Sequence, residues 1–317
     1  MSTKSYKTLL ATSILVSSLG IYANSATDAA RSAVNAAANG NSVMDSISNS
    51  VSNFFDGWLT NGVSELLPNA EVSISDAARE DASIQILTVV PIEESKDLKH
   101  TTFLQGSLSH QDSRQTINLG LGYRQLSDDE NWLFGVNGFY DQEFPYNHQR
   151  ASIGLEARSS AIELNANKYY AISGWENGEN SNQEHALDGQ DIELGVAIPY
   201  MPSSKIYHKS FKWEALNGAQ DLKGKTTSLN IQGDILTPGL TLEVGKTNYD
   251  GTRADKDFVS LTYKIIPGKT DYQPLIADKP FTFTSMKDKR LDKVRRENKI
   301  VKQKKSSSGG SNTVSFR

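Results

Sequence analysis

The 317-residue chain contains no cysteine. That excludes a disulfide framework, a thiol nucleophile and a thiolate metal site. Long hydrophobic runs are also missing. A polytopic helical membrane protein needs several spans of about 20 apolar residues, and here one short apolar run stands at residues 9–16. Histidine is scarce: His100, His110, His148, His185 and His208 are scattered, with no His-x-x-x-His pair to hold zinc. His148 and His185 fall in candidate loops, with Asp188 close to His185, but histidines among polar loop residues face solvent more often than they catalyse. No enzyme, cofactor or metal site is therefore expected. Gly120-x-Gly122 opens like a dinucleotide motif but lacks its third glycine and helix, and small residues lining a lumen account for it. Asp128-Asp129-Glu130 lacks the spaced oxygen ligands of a calcium loop and reads as a solvated turn.

What is present begins with an export signal. Lys4 and Lys7 precede the apolar run, and small residues follow at Ala23, Ser25 and Ala26, so residues 1–25 read as a cleavable signal peptide. The net charge of −4 hides an asymmetry. Removing Lys4 and Lys7 takes it to −6, and residues 279–317 hold twelve basic against three acidic residues, which leaves −15 for residues 26–278. An acidic body carries a basic tail.

Residues 26–69 are rich in Ala, Ser and Asn, and within them Val43, Ile47, Val51, Phe54, Phe55, Trp58 and Leu59 recur at helical spacing. From 70 to 267 the period becomes two. Ile117, Leu119, Leu121 and Tyr123 alternate with Asn118, Gly120, Gly122 and Arg124, and Ile162, Leu164 and Ala166 alternate with Glu163, Asn165 and Asn167. Eleven or twelve such segments, separated by turns such as Asp188-Gly189 and Asp250-Gly251, each run about ten residues, the length of a tilted membrane-crossing strand. A soluble sandwich and a transmembrane barrel share this alternation, with opposite faces inward. Glu156, Glu163, Asp191, Glu193 and Glu243 on the polar face favour a wet, acidic lumen. Trp132, Tyr140, Tyr170, Trp175, Tyr200, Tyr207, Trp213 and Tyr263 near strand ends favour interfacial girdles. Long connections near 175–187 and 214–224 fall at one end if strands alternate in direction.

The alternation stops at 268. Residues 268–305 lead into a basic, helix-like stretch from Asp288 to Lys305, and 306–317 is a Ser/Gly-rich tail.

Several strings in this order resemble the β-domain of inverse autotransporters, the intimin/invasin family. Asn137-Gly138-Phe139-Tyr140-Asp141-Gln142-Glu143-Phe144 is similar to a strand-and-turn element of that family, and Arg150-Ala151-Ser152-Ile153-Gly154-Leu155-Glu156 to the strand after it. Ser173-Gly174-Trp175, Gly189-Gln190-Asp191-Ile192 and Pro199-Tyr200-Met201-Pro202 follow in register. The most specific string, Arg290-x-Asp292-x-Val294-x-Arg296-x-Asn298-x-Ile300-Val301, resembles the family's post-barrel linker. The resemblance covers roughly residues 70–305. It implies an all-β fold: a twelve-stranded antiparallel barrel in a Gram-negative outer membrane, with a linker (268–305) that turns back through the pore; the helical spacing within 26–69 adds a short N-terminal helix. It also implies outer-membrane lipid, the barrel-assembly machinery and periplasmic chaperones as partners, with no nucleic acid and no named receptor. The chain departs from the adhesin plan in ending at Arg317, too soon for an adhesive passenger, and in having too few residues before Ala70 for a peptidoglycan-binding module.

The expected function is thus an outer-membrane translocation unit that holds its C-terminal segment through the pore, linked to cell-surface adhesion by family. A lumen lined by the five acids would attract Lys287, Lys289, Arg290, Lys293, Arg295 and Arg296. The competing readings are a small-pore channel with a mobile tail and a soluble exported β-sandwich binding module.

Overall fold

The structure, a computed structural model, describes residues 69–76, 82–179, 182–232, 239–264, 276–305 and 313–315. The signal peptide, the amphipathic helix expected within 26–69 and most of the 306–317 tail lie outside the described residues.

Sixteen strands are described: β1 (Glu71–Ser75), β2 (Ser83–Glu94), β3 (His100–Gln111), β4 (Arg114–Leu126), β5 (Leu133–Phe144), β6 (His148–Arg158), β7 (Ile162–Ala171), β8 (Trp175–Asn177), β9 (Gln183–Ala186), β10 (Gly189–Ile198), β11 (Met201–Trp213), β12 (Leu222–Gln232), β13 (Leu240–Tyr249), β14 (Lys256–Lys264), β15 (Lys302–Lys305) and β16 (Thr313–Ser315). Twelve of them close into an antiparallel barrel in the order β1-β14-β13-β12-β11-β10-β7-β6-β5-β4-β3-β2. The barrel closes because β1 pairs with both β14 and β2, leaving no strand edge open around it.

The faces are the reverse of those in a soluble protein. Leu121, Val136 and Leu155 are 55%, 51% and 62% exposed, while Asn118, Arg124, Asp141 and Arg150 are buried. In water each exposed aliphatic side chain would forgo roughly 1.5–3 kcal/mol of burial. Hydrocarbon around the barrel removes that cost, and the polar groups satisfy one another inside. This inversion excludes the soluble sandwich, whose apolar faces would meet in a core.

Gly120 and Gly122 face the lumen, opposite Phe139 on β5 and Phe103 on β3 respectively. A Cβ on either glycine would collide with the facing ring. Each ring lies flat over the glycine of the adjacent strand, so the spacing that looked like half a nucleotide motif serves lumen packing.

Connections alternate between two ends. At the near end, where β1 begins, they are short: 95–99, 127–132, 159–161 and 199–200. At the far end lie 112–113, 145–147, 172–188, 214–221 and 250–255. The two long connections share the far end. The first is more than a loop: it contains the β8–β9 hairpin, which joins β15 and β16 in a second sheet of order β16-β15-β9-β8.

The aromatic girdle needs correcting. Tyr140, Tyr170 and Tyr200 point outward, but Tyr207 and Trp213 are buried inside the barrel. Both occupy odd-numbered positions of β11, in phase with inward Phe211 and out of phase with outward Ile206 and His208. Trp213 packs with Tyr169, Leu187, Phe211, Leu222 and Val301.

Candidate functional site

Alternation turns every second side chain of the barrel inward, so the lumen is built by strand phase rather than by any loop. All five acids singled out in the sequence face it. They are joined there by cations of the wall itself, which the expectation of an acidic tube left out. Glu156 accepts from Arg124 at 2.7 Å and lies 3.8 Å from Arg158. Glu163 accepts from Lys205 at 2.6 Å and from the Tyr207 hydroxyl at 2.9 Å. Asp191 accepts from Asn167 at 2.8 Å and from the Tyr169 hydroxyl at 2.7 Å. Of the five, Glu193 and Glu243 meet the basic segment directly, through Arg295 at 2.5 and 3.3 Å.

Among the residues that sequence reasoning missed is Asp141. It accepts from Arg150 on the wall at 2.8 Å, from Arg296 at 2.7 Å and from Asn118 at 2.7 Å, and it is fully buried. Its signal was available, since Asp141 shares its phase on β5 with inward Asn137 and Phe139.

Six of the seven residues of the linker-like motif have a partner on the barrel. Arg290 donates to Glu94 at 2.7 Å, and Asp292 accepts from Lys264 at 2.6 Å. Val294 packs with Leu87, Val89, Phe103 and Phe139. Arg296 lies over the Phe139 ring at 4.3 Å. Asn298 contacts Gln85 at 3.4 Å, Ile300 is fully buried, and Val301 joins the Trp213 cluster.

The stretch from Asp288 to Lys305 is not the helix its composition suggested. It holds one 3-10 turn, Lys287–Lys289, and the strand β15. The reason is that wall side chains satisfy the backbone a helix would satisfy internally. Arg124 donates to the carbonyls of Arg290 and Asp292 at 2.7 and 2.6 Å, and Arg150 to those of Glu297 and Lys299 at 2.6 and 2.9 Å. Asn118 and Asn167 donate to the carbonyls of Asn298 and Arg295. Gln105 and Tyr169 accept from the amides of Val294 and Glu297.

At the far end Glu143, His148 and Glu184 bring donor atoms within 4.8 Å of one another, a spacing that could suit a metal. Their oxygens are already committed. Arg114 forks onto Glu184 at 2.8 and 2.9 Å and reaches Glu143 at 2.8 Å; Lys302 meets Glu143 at 2.5 Å and Lys304 meets Glu184 at 3.1 Å. This is an ion network that ties β4, β5, β6 and β9 to β15. His148, expected in a solvent-facing loop, is fully buried in it because β6 starts at His148 in the inward phase of Arg150 and Ser152.

At the near end the Met286 amide donates to the Glu130 carbonyl at 2.8 Å, and the Glu130 carboxylate meets Lys287 at 2.7 Å and Ser285 at 2.7 Å. The turn read as merely solvated therefore anchors the basic segment. Hydrogen bonding to Lys287 and then to Ser285 holds the Glu130 carboxyl below its ordinary value. A depressed carboxylate stabilises the contact above its unfolded pKa, about 4.3, and loses that contribution as pH falls through the lowered folded value. Hydrogen exchange at the Met286 amide, corrected for intrinsic rate, is expected to stay protected at pH 5–7 and to lose protection only below the usual carboxylate range. Glu130→Gln should abolish that acid step.

The model of the family "Inverse autotransporter, beta-domain" matches residues 19–298. The chain is 29% identical over 142 residues to the invasin of Yersinia enterocolitica, an alignment covering 43% of this chain and 17% of that one. It is 26% identical over 239 residues to the intimin of Citrobacter freundii, covering 73% and 25%. The chain thus spans a minor part of these relatives. A solved structure described as "Unveiling the Mechanism Behind the in-meso Crystallization of Membrane Proteins" shares the fold with a TM-score of 0.63 at 22% identity, over 75% of this chain and 99% of that one. None of these relatives is named as an enzyme. Closed topology, inverted faces and this match together make the chain an outer-membrane β-barrel of the inverse autotransporter β-domain family.

Proposed function

We propose that residues 276–305 thread the barrel from its periplasmic near end to its outer far end, close the pore, and hold the chain that follows at the cell surface. The observation that carries this reading is the order of the contacts. Partners run from Glu130 and Glu94 at the near end, through Glu193 and Asp141 at mid-barrel, to Glu143 and the β9 hairpin at the far end. The signal-like residues 1–25 deliver the chain to export. Periplasmic chaperones and the barrel-assembly machinery insert it in the lipid, as for other members of its family. A role in adhesion comes through the names of the relatives and requires a surface-displayed partner or extension.

Electrostatics makes the plug specific. Arg295 and Arg296 sit in a confined lumen where charge pairs are stronger than on a surface, although desolvation offsets much of the gain. Single-channel conductance tests it: the unaltered protein is expected to stay closed. Replacing Lys289, Arg290, Arg295 and Arg296 together with Gln should open a steady conductance. Closed traces from that variant, folded by gel migration, would sink the electrostatic plug.

A further inference from the structure

The outer wall of the barrel is not uniform. Outward positions of β3, β4, β5 and β6 carry no lysine or arginine. Those of β7, β11, β12 and β13 carry Lys168, Lys212, Lys223, Lys225 and Lys246. The first three lie in one row of paired positions. Lys168 on β7 faces Gln190 on β10, Gln190 faces Lys212 on β11, and Lys212 faces Lys223 on β12. Across four adjacent strands that row spans about 14 Å, and Lys225 stands one outward position along β12. A groove of about 690 Å³ runs along it, lined by Lys168, Lys212, Lys223 and Lys225 together with Ile153, Leu155 and Ile192. These apolar side chains are 58%, 62% and 52% exposed.

Cations beside an apolar strip in the same two rows, Ile153 level with Lys168 and Ile192 level with Lys225, confined to one sector and to the far end, match an amphiphile with anionic head and acyl tails. Nearby acids compete only weakly. Glu214 lies 3.9 Å from Lys168 and 3.5 Å from Lys212, Asp221 lies 3.4 and 3.6 Å from Lys212 and Lys223, and Asp250 lines the groove. Such solvent-exposed pairs are worth little, and among the described residues Lys225 has no ion partner.

We propose that this groove binds the phosphorylated headgroup of an outer-leaflet glycolipid, with phosphates on the four lysines and acyl chains along Ile153, Leu155 and Ile192. The assignment to the outer leaflet rests on the far end facing out, as proposed above; binding to the groove itself does not. The test uses the full chain in detergent, with native mass spectrometry reading retention of a bisphosphorylated lipid A, its dephosphorylated form and phosphatidylglycerol. The unaltered protein should retain the bisphosphorylated lipid in preference to the other two. K168Q/K212Q/K223Q/K225Q should bind it roughly tenfold or more weakly, while the corresponding Lys→Arg variant keeps binding. Heat-modifiable migration on gels verifies that each variant is folded. Equal retention by the unaltered and Gln variants, equal retention of the dephosphorylated lipid, or displacement by millimolar inorganic phosphate would overturn the proposal. A far end found to face the periplasm would leave the groove's binding intact and overturn only its leaflet.

Discussion

Asp141→Ala should destabilise the folded barrel by about 3–5 kcal/mol, the cost of breaking a buried ion pair from one side. The loss is large because Asp141 serves Arg150 on β6, Arg296 on the basic segment and Asn118 on β4 at once. Without it two guanidinium groups remain in the lumen with no carboxylate between them. Arg150 would still hold the carbonyls of Glu297 and Lys299, so the damage should fall first on Arg296. Urea unfolding of the protein in lipid vesicles measures the change. A double-mutant cycle of Asp141→Asn with Arg296→Gln should return a coupling well above the 0.2–1 kcal/mol of an exposed pair. A coupling near zero would mean that water in the lumen screens the contact.

Trp213→Ala should be nearly as severe, about 3–5 kcal/mol, through a different cause. The indole lies tilted against Tyr169 at a centroid distance of 4.9 Å and packs with Leu187 and Val301. It also lies opposite Gly189, whose missing Cβ makes room for the ring. Removing it leaves a cavity between the wall and the exit of the basic segment. The thermal midpoint of heat-modifiable migration should fall, and hydrogen exchange at the Leu187 amide, which donates to the Val301 carbonyl at 3.0 Å, should accelerate more than at β4 amides. Equal acceleration everywhere would show a global loss without local loosening at the exit.

These two residues show how much of the molecule was legible beforehand. Strand phase is written into the sequence wherever leucine and isoleucine alternate with polar residues. That was enough for the barrel, for the inward position of Glu156, Glu163, Asp191, Glu193 and Glu243, and for the long connections sharing one end. The same phase rule, carried through β5 and β11, would have put Asp141, Tyr207 and Trp213 inside. Attention to charge of one sign hid Arg124, Arg150, Arg158 and Lys205, which hold two of the five acids and four backbone carbonyls of the basic segment. Other features had no local signal. The strands β8, β9 and β15 are three or four residues long and mostly polar, and pairing between residues 183–186 and 302–305 is a property of the closed barrel. Likewise the extended course of 290–301 comes from wall donors distant in sequence, which no helical-spacing rule can register.

Traversal of the lumen by residues 276–305 is tested most directly by single-cysteine labelling on intact cells. The chain has no cysteine of its own, so each introduced thiol reports without background. Lys305 at the far end and Asp278 at the near end are both exposed on the protein. A membrane-impermeant maleimide is expected to label Lys305→Cys on intact cells, and Asp278→Cys only after the outer membrane is permeabilised. Labelling of Asp278→Cys on intact cells, or protection of Lys305→Cys until permeabilisation, would contradict a segment that enters from the periplasm and leaves at the surface.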